Sequence, residues 1–441
     1  MKLKHLLFIM TFVIAFVSVT PAQETEKEQK FGINFGGFVK NDIFYDTRQT
    51  VSAREGHFNL FPSGIDRDET GKDVNATPNF NMLAIQTRLT GRITGPDAFG
   101  AKTSGVIEGA FFGHTNADIN GFRLRHAFVK FNWENAELIS GQYWHPLFIV
   151  QAFPEVISFN TGVPFQPFSR NPQLRYSYKI NNLNLIATAY TLRDFSATGP
   201  AGVKTTIQRN AGMPNFNFTL TYSPKESKSI FGAGVDYKTL SPRMFSEVVV
   251  SSATTAIDTS TWNVISIPAK VEKFKVDEKL SSISATAFAK IVADNITLKL
   301  QGVYAQNAHD IMGIGGYAVL LDSYDFFTGE QEYTNLNTGS VWTELYYTAD
   351  KFVAGVFAGY TLNLGSDDKM ENIKFGRGTN IEYIYRIAPR IAFTQGKATI
   401  GFELEYTTAA YADDVIDEMG KFSSSEEITN IRALLSFIYS F

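Results

Sequence analysis

The sequence predicts an all-β protein, a transmembrane antiparallel β-barrel of about sixteen strands with long outer loops and short periplasmic turns. The chain of 441 residues is 14% aromatic but only 19% charged, and it begins with a secretory pattern. No apolar run reaches the ~20 residues that a membrane helix needs. Instead, apolar and polar residues alternate in segments of about ten residues, which is how barrel strands carry a lipid-facing surface.

The N-terminus predicts a secretory signal peptide over residues 1–22. Lys2 and Lys4 give it a basic start, residues 6–17 carry no charge, and the segment ends in small residues. These are the three parts of a cleavable signal. The alternative, a membrane anchor, is disfavoured because this apolar run is too short to span a bilayer. The polar residues 23–32 are then expected to form a flexible leader.

Composition excludes several classes of function. The chain has no cysteine, which removes disulfide scaffolds, thiolate metal sites and cysteine nucleophiles. Once Lys2 and Lys4 leave with the signal, 38 basic residues face 44 acidic ones, so no nucleic-acid partner is expected. The histidines lack metalloprotease spacing, and no serine-hydrolase or phosphate-loop motif occurs. We therefore expect no enzyme activity, no cofactor and no metal site; acidic loop pairs such as Asp367-Asp368 are interpreted as solvated charges, with calcium binding as the alternative.

The C-terminus contains the clearest strand. One face is apolar up to the last residue and carries Ile431, Ala433, Leu435, Phe437, Tyr439 and Phe441. The other face carries Asn430, Arg432, Leu434, Ser436, Ile438 and Ser440. On a secreted chain this strand resembles the C-terminal signal of bacterial outer-membrane barrels, and the core strand of a soluble sandwich is the alternative. We expect the strand ending at Phe441 to engage the barrel assembly machinery, and the protein to contact lipid and lipopolysaccharide in the cell outer membrane.

Alternation with period two predicts sixteen strands along the mature chain. They are expected at 33–46, 79–94, 103–113, 121–132, 136–146, 173–181, 182–192, 214–223, 228–240, 279–292, 295–306, 340–348, 351–364, 377–394, 398–409 and 428–441. Their connections alternate between short ones, such as 133–135, and long ones, such as 241–278. This alternation is typical of outer-membrane barrels, whereas a soluble sandwich has no reason for it. Residues 33–441 are therefore predicted to be one barrel domain.

The size of the barrel predicts a water-filled lumen, because about 16–18 strands leave an aqueous channel. The connection 147–172 is rich in proline and aromatic residues and carries only two charges, Glu155 and Arg170. Such a loop is expected to pack against other residues, while the more polar connections 47–78 and 410–427 are expected to be exposed. We predict that 147–172 folds inward and constricts the lumen. The alternative is that it covers a subunit interface or the barrel rim.

Basic residues gather on the predicted inner face in the first half of the chain. They include Lys40, Arg88, Arg92, Arg123, Arg125, Arg175 and Lys179. Arg123 and Arg125 lie two positions apart on one strand face, hence about 7 Å apart. A ring of positive charge at a narrow point selects anions, and the planar guanidinium suits carboxylate and phosphate groups. The alternative is a ladder of structural ion pairs with acidic residues such as Glu108, Glu403 and Glu405.

Several segments, taken in order, resemble the DcaP-type trimeric outer-membrane porins. They are GFVKND at 37–42, IEGAFFG at 107–113, FRLRHAFVK at 122–130, SGQYW at 140–144 and RNPQLRY at 170–176. The resemblance implies a homotrimer of 16-stranded barrels with an arginine-lined constriction that passes small anions such as dicarboxylates. By position it implies a constriction role for Lys40, Arg123, Arg125, Arg170 and Arg175. Asn41 and Asn171 depart from the family pattern, which leaves the solute open.

The sequence therefore predicts an outer-membrane porin for passive diffusion of small hydrophilic solutes, favouring anions such as dicarboxylates. The predicted constriction and anion-binding residues are Lys40, Arg88, Arg123, Arg125, Arg170 and Arg175. The main alternative is a non-conducting outer-membrane barrel with a structural or assembly-partner role. A soluble secreted β-protein and a barrel lipid hydrolase are less favoured, the latter because no Ser–His pair can be placed on adjacent strands near the rim.

Overall fold

A computed structural model gives the fold of the mature chain. The described residues are 31–258, 260, 263–412 and 417–441. The predicted signal peptide 1–22 and all but the last two residues of the predicted leader 23–32 lie outside them. The described strands close into an antiparallel β-barrel of 16 strands, which confirms the predicted fold class.

The barrel strands follow one another around the wall in chain order. The first eight are β1 (Gly32–Asp46), β2 (Asn79–Leu83 continued by Arg88–Thr94), β3 (Lys102–Ala110), β4 (Arg123–Asn132), β5 (Ala136–Trp144), β6 (Arg170–Ile180), β7 (Leu183–Tyr190) and β8 (Asn215–Tyr222). The second eight are β9 (Ile230–Leu240), β10 (Leu280–Ala293), β11 (Ile296–Gln306), β12 (Tyr333–Thr348), β13 (Phe352–Ser366), β14 (Ile381–Gln395), β15 (Ala398–Ala412) and β16 (Ser425–Ser440). The barrel closes where β1 pairs with β16, with Phe38 opposite Ser440 and Asp46 opposite Arg432.

Each predicted strand corresponds to one of these barrel strands. The largest difference is at β12, which begins at Tyr333 rather than at residue 340. Its first residues pair with an additional outer strand, Gly315–Leu320, so the ladder extends beyond the barrel wall. The alternation of the sequence marks the lipid-facing part of a strand, and this extension lies outside that part.

The long connections carry elements of their own. The additional strands pair as Thr50–Ala53 with Phe58–Pro62, Phe245–Ser251 with Lys270–Lys275, Thr254–Asp258 with Asn263–Ile267, and Gly315–Leu320 with Met370–Arg377. The helices are the single turns Val74–Ala76, Thr206–Arg209 and Ala308–Ile311. In the described part of the chain, none of the helices has the length and apolar character needed to cross a bilayer.

The outer surface of the barrel is apolar, as the alternation predicted. On β8 and β15 the exposed side chains are Phe216, Phe218, Leu220, Tyr222, Ile400, Phe402, Leu404 and Tyr406. The residues between them, such as Asn217, Glu403 and Glu405, are buried inside. The final strand shows the same alternation, because Phe437 is exposed and Arg432 is buried. A wall that exposes its apolar residues and hides its charges matches a hydrocarbon layer, so the protein is an outer-membrane barrel.

The barrel interior contains two of the outer loops. We call residues 47–78 loop 1 and residues 145–169 loop 3. Their aromatic side chains form one hydrophobic cluster with the inner wall, which includes Phe58, Leu60, Phe61, Phe148, Phe159, Phe165, Phe168, Trp342 and Phe357. Burial of apolar surface stabilises such a cluster by about 25 cal/mol for each Å² removed from water.

The expectation that loop 1 is exposed is wrong for its hairpin, residues 50–62. Phe58, Leu60 and Phe61 are almost completely buried inside the barrel. The loop is polar on average because residues 63–78 outweigh this short apolar segment. The average composition therefore concealed the one part of the loop that packs in the lumen.

Candidate functional site

Loop 3 runs from β5 to β6 but is held by strands on the far side of the barrel. The backbone N–H of Glu155 donates to both carboxylate oxygens of Glu344 on β12, each at 3.0 Å. The backbone N–H of Ile157 donates to Glu403 on β15 at 2.6 Å. Because β12 and β15 lie six or seven strands around the wall from the ends of the loop, loop 3 crosses the barrel interior.

The hairpin of loop 1 is held by arginines of the same far wall. Arg432 on β16 contacts Asp46 through Nε at 2.9 Å and through Nη2 at 2.7 Å, and its Nη2 also donates to the carbonyl of Gly56 at 2.7 Å. Arg386 on β14 donates to the carbonyl of Leu60 at 2.8 Å. These guanidiniums satisfy backbone carbonyls that would otherwise be buried without a donor. The sequence reasoning missed both arginines because it concentrated on the first half of the chain.

A second group of arginines, from the near wall and from loop 1, surrounds the ring of Phe112. The guanidinium carbons lie 5.9 Å (Arg54), 5.5 Å (Arg123), 5.5 Å (Arg125) and 5.7 Å (Arg170) from the centre of that ring. Arg88 joins them through Glu108, which lies 3.5 Å from Arg88 Nε. We call Arg54, Arg88, Arg123, Arg125 and Arg170 the guanidinium cluster. Contact between a guanidinium and an aromatic face is favourable, so Phe112 helps to hold four like charges together.

A β-bulge on β4 contributes to this convergence. The register between β3 and β4 shifts between Glu108 and Gly109, so that Arg125 lies opposite no residue of β3. As a result, Arg125 and its neighbour His126 are both buried, although successive residues of a regular strand point to opposite faces. Bulges commonly redirect a side chain in this way.

Two carboxylates share the guanidinium cluster. Glu108 accepts a hydrogen bond from Arg125 Nε at 2.8 Å and lies 3.5 Å from Arg88 Nε. Asp194, in the loop 191–214, pairs with Arg170 at 2.7 Å and also with Arg123. Each carboxylate is thus held by two guanidiniums.

The cluster retains an excess of positive charge. Five guanidiniums face Glu108 and Asp194. The nearby carboxylate of Asp118 accepts hydrogen bonds from the backbone N–H groups of His114 and Thr115, so it balances the cluster only from a distance. Burial, reinforced by the charge of Arg123, lowers the pKa of Arg54 to about 10, and Arg54 therefore remains protonated at neutral pH.

Two buried donors of the cluster make no hydrogen bond within the described residues: Nε of Arg88, which lies 3.5 Å from Glu108, and Nη1 of Arg170. Burying a charged donor without an acceptor costs about 1–3 kcal/mol or more. An acceptor brought by a solute would remove this cost.

The six residues predicted from the sequence fall into three places. Arg88, Arg123, Arg125 and Arg170 converge in the guanidinium cluster, and their predicted part in a pore constriction stays a prediction. Lys40 lies apart from them: its Nζ donates to the carbonyl of Ile157 at 2.6 Å and lies 3.3 Å from Asp42. It therefore anchors loop 3.

Arg175 also lies outside the cluster. It is five residues along β6 from Arg170, towards the short turns, with its guanidinium 5.8 Å from the ring of Tyr143. Alternation showed correctly that Arg175 faces inward, but it carries no information about height in the barrel. Arg54 was missed because its loop was expected to be exposed, and no motif in the sequence marks it.

Charges on the far wall are matched almost one to one. Arg390 pairs with Glu344 at 2.9 Å, and Lys299 pairs with Glu155 at 2.7 Å. Structural ion pairs, the alternative that the sequence left open, are present on both walls, because Arg88 and Arg125 share Glu108 while Arg123 and Arg170 share Asp194. Among the described residues, no group of three or more His, Asp or Glu side chains is arranged to hold a metal ion.

Comparison with solved structures agrees with this architecture. The outer membrane channel DcaP of Acinetobacter baumannii superposes with a TM-score of 0.66 and 17% identity, over 95% of this chain and 99% of that chain. The fold is that of a DcaP-like porin. The trimer form of OmpT from Vibrio cholerae gives 0.50 and 9%, over 93% and 99% of the two chains. An anion-selective porin from Comamonas acidovorans gives 0.50 and 10%, over 93% and 100%.

Sequence comparisons add no relative to this set. No protein-family model and no curated protein matches the chain. At these identities the likeness to solved porins is one of fold. The role of the guanidinium cluster therefore depends on the residues of this chain.

The ion pairs of Asp194 predict a pH dependence of stability. Burial raises the pKa of Asp194, but the guanidiniums of Arg170 and Arg123 outweigh burial and hold that pKa below its ordinary value. At a pH above the pKa that it has in the unfolded chain, such a carboxylate stabilises the folded state. This stabilisation is lost as the pH falls through the lower pKa that the carboxylate has in the folded state. Asp194→Asn should lower the free energy of unfolding by about 3–5 kcal/mol at pH 7. The difference in unfolding free energy between the wild type and this variant should become smaller below about pH 4.

Urea unfolding in lipid vesicles, followed by tryptophan fluorescence from pH 7 to pH 2, measures this difference. Glu418→Gln is the matched control, because it breaks an exposed pair with Lys369 and should cost only about 0–1 kcal/mol. A difference between wild type and Asp194→Asn that stays constant down to pH 2 would show that the charge of Asp194 has no part in holding the cluster.

Proposed function

We propose that this chain is an outer-membrane porin through which small hydrophilic solutes diffuse passively, with a preference for anions. The excess of guanidiniums over carboxylates around Phe112 carries the proposal. Loop 3 crosses the same interior and supports a constriction at this height. A pore lined by charge of one sign attracts the opposite sign and repels its own. Passive diffusion needs neither a catalytic group nor a cofactor.

The arrangement of the cluster supports carboxylates as the favoured anions. Glu108 lies between Arg88 and Arg125, and Asp194 lies between Arg123 and Arg170. Each resident carboxylate thus marks a position where two guanidinium forks receive a carboxylate group. We propose that small dicarboxylates pass through the pore by binding briefly to these guanidiniums, as the resemblance to the DcaP-type porins implies.

We further propose that the barrel assembles as a homotrimer. The outward surface of β2–β5 carries a shallow groove of about 490 Å³ whose lining includes Gly95, Gly105, Ala127 and Ser140. Small residues allow close approach of a second wall within a membrane. The similar fold of the trimer form of OmpT also supports this proposal. The exposed aromatic face of β16 up to Phe441 supports recognition by the barrel assembly machinery and contact with lipopolysaccharide and lipid.

Reversal potentials in planar bilayers test the anion preference. With a KCl gradient, the wild type should give a reversal potential of the sign expected for chloride permeation. Arg125→Gln removes one charge of the cluster and should roughly halve the anion-to-cation permeability ratio. Arg209→Gln, which removes a charge from an exposed loop helix, should leave the ratio unchanged. Cation selectivity in the wild type, or equal ratios in all three proteins, would refute the proposal.

The packing of loops 1 and 3 favours a second candidate function. Phe58 and Phe61 from loop 1 and Phe159 and Phe165 from loop 3 belong to one apolar cluster within the barrel. A lumen filled in this way is expected of a non-conducting barrel with a structural or assembly-partner role.

Replacing residues 50–62 by a short Gly-Ser linker separates the two candidates. In a porin, the wild type conducts, and removal of the hairpin should raise the single-channel conductance by about twofold or more, because the linker leaves the lumen wider. In a closed barrel, the wild type gives no current and only the deletion variant conducts. Heat-modifiable gel mobility confirms that both proteins are folded barrels.

A further inference from the structure

A separate cavity lies on the inner face of β4–β8, at the end of the barrel with the short turns. It encloses about 750 Å³, within the size range of small-molecule sites. The lining residues that matter are Lys130, Tyr143, Arg175, Lys179, Asn184 and Thr221. The strand register places Asn184 directly opposite both Lys179 and Thr221, so these three polar side chains form one row across β6, β7 and β8.

Arg175 is the unusual member of this lining. Its guanidinium lies over Tyr143 and, within the described residues, has neither an ion-pair partner nor a hydrogen-bond partner. The nearest acid of the cavity wall, Glu137, is paired with Lys130. Arg175 is half-buried, and its guanidinium faces the cavity without a partner in the described part of the chain. A guanidinium in this position can bind the acidic group of an anionic ligand.

The cavity as a whole is positive and polar. Its cations are Lys130, Arg175, Lys179 and Lys225, and its acids are Glu134 and Glu137. Hydroxyl and amide groups line the same space, on Ser177, Asn182, Asn184 and Thr221. The positive charge selects for an anion, while the hydroxyls and amides offer both donors and acceptors to a ligand that carries hydroxyl groups of its own.

We propose that this cavity is a second anion site that binds a hydroxylated organic anion, of the class of sugar phosphates and sugar acids. Its acidic group lies over Ser177, which is two residues and about 7 Å from both Arg175 and Lys179 on one strand face. Both long side chains reach that point. The hydroxyl groups of the ligand then face Asn184 and Thr221.

This site is distinct from the guanidinium cluster. Arg170 and Arg175 lie on one strand, five residues and therefore about 17 Å apart. Loop 3 borders the cavity, because its residue Gln151 forms part of the lining. One small solute cannot contact both groups at once. A role of this cavity as a transient binding site for anions that leave the lumen rests on the proposed porin function. Binding of the hydroxylated anion to the cavity does not depend on that function.

Calorimetric titration of the folded protein in detergent tests the proposal without any current. Glucose 6-phosphate and gluconate are the probes, and both should bind the wild type, whereas glucose should not. Arg175→Gln should weaken binding by about tenfold or more, because hydrogen bonds to a charged group are among the stronger ones. Lys102→Gln is the matched control: Lys102 is exposed at the same end of the barrel, beside Asp97 at 3.7 Å, and its loss should not change the affinity.

Two further arms separate this site from the proposed porin function. Arg125→Gln should keep the wild-type affinity for glucose 6-phosphate while its reversal potential changes, because the two sites are distinct. If the wild type binds glucose 6-phosphate but gives no channel current, the second anion site is supported and only the porin proposal is refuted. Absence of binding to the wild type, equal binding by Arg175→Gln, or equal binding of glucose would overturn the second anion site.

Discussion

Every charge on the inner face of this barrel needs a partner, because the loops that fill the lumen remove most of these charges from water. On the far wall the requirement is met within the protein. Arg432 pairs with Asp46, and Arg390 pairs with Glu344, while the spare donors and acceptors of these groups hold the backbones of loops 1 and 3. The two loops therefore fold inward because the charges of β12–β16 need their carbonyl and N–H groups.

On the near wall the same requirement is met only in part. Four guanidiniums surround Phe112 and Arg88 joins them through Glu108, so that two carboxylates face five positive charges. The structure thus contains one wall whose charges are matched and one wall whose positive charge is in excess. The matched wall fixes the shape of the interior, and the excess on the other wall gives that interior its proposed preference for anions.

Much of this arrangement was predictable from the sequence, because the alternation of apolar and polar residues reports directly which face of a strand meets lipid. It gave the barrel, the order of its strands and the inward orientation of Arg123, Arg125 and Arg175. It did not give their heights, since period two is the same at every level of the barrel. The hairpin of loop 1 and its anchors could not be predicted for a different reason: Gly56 and Arg432 are hundreds of residues apart in sequence, and no local pattern records their contact.

The proposed cargo depends on the guanidinium cluster. Diffraction from bromide-soaked crystals tests its excess charge most directly. The anomalous signal should place bromide within about 4 Å of the guanidiniums of Arg125 or Arg170 beside Phe112, a separation at which opposite charges near a protein surface attract by about 4 kcal/mol. Rubidium soaked in its place should leave the cluster empty. Rubidium at the cluster, or bromide bound elsewhere in the lumen but absent from Phe112, would contradict an excess of positive charge there.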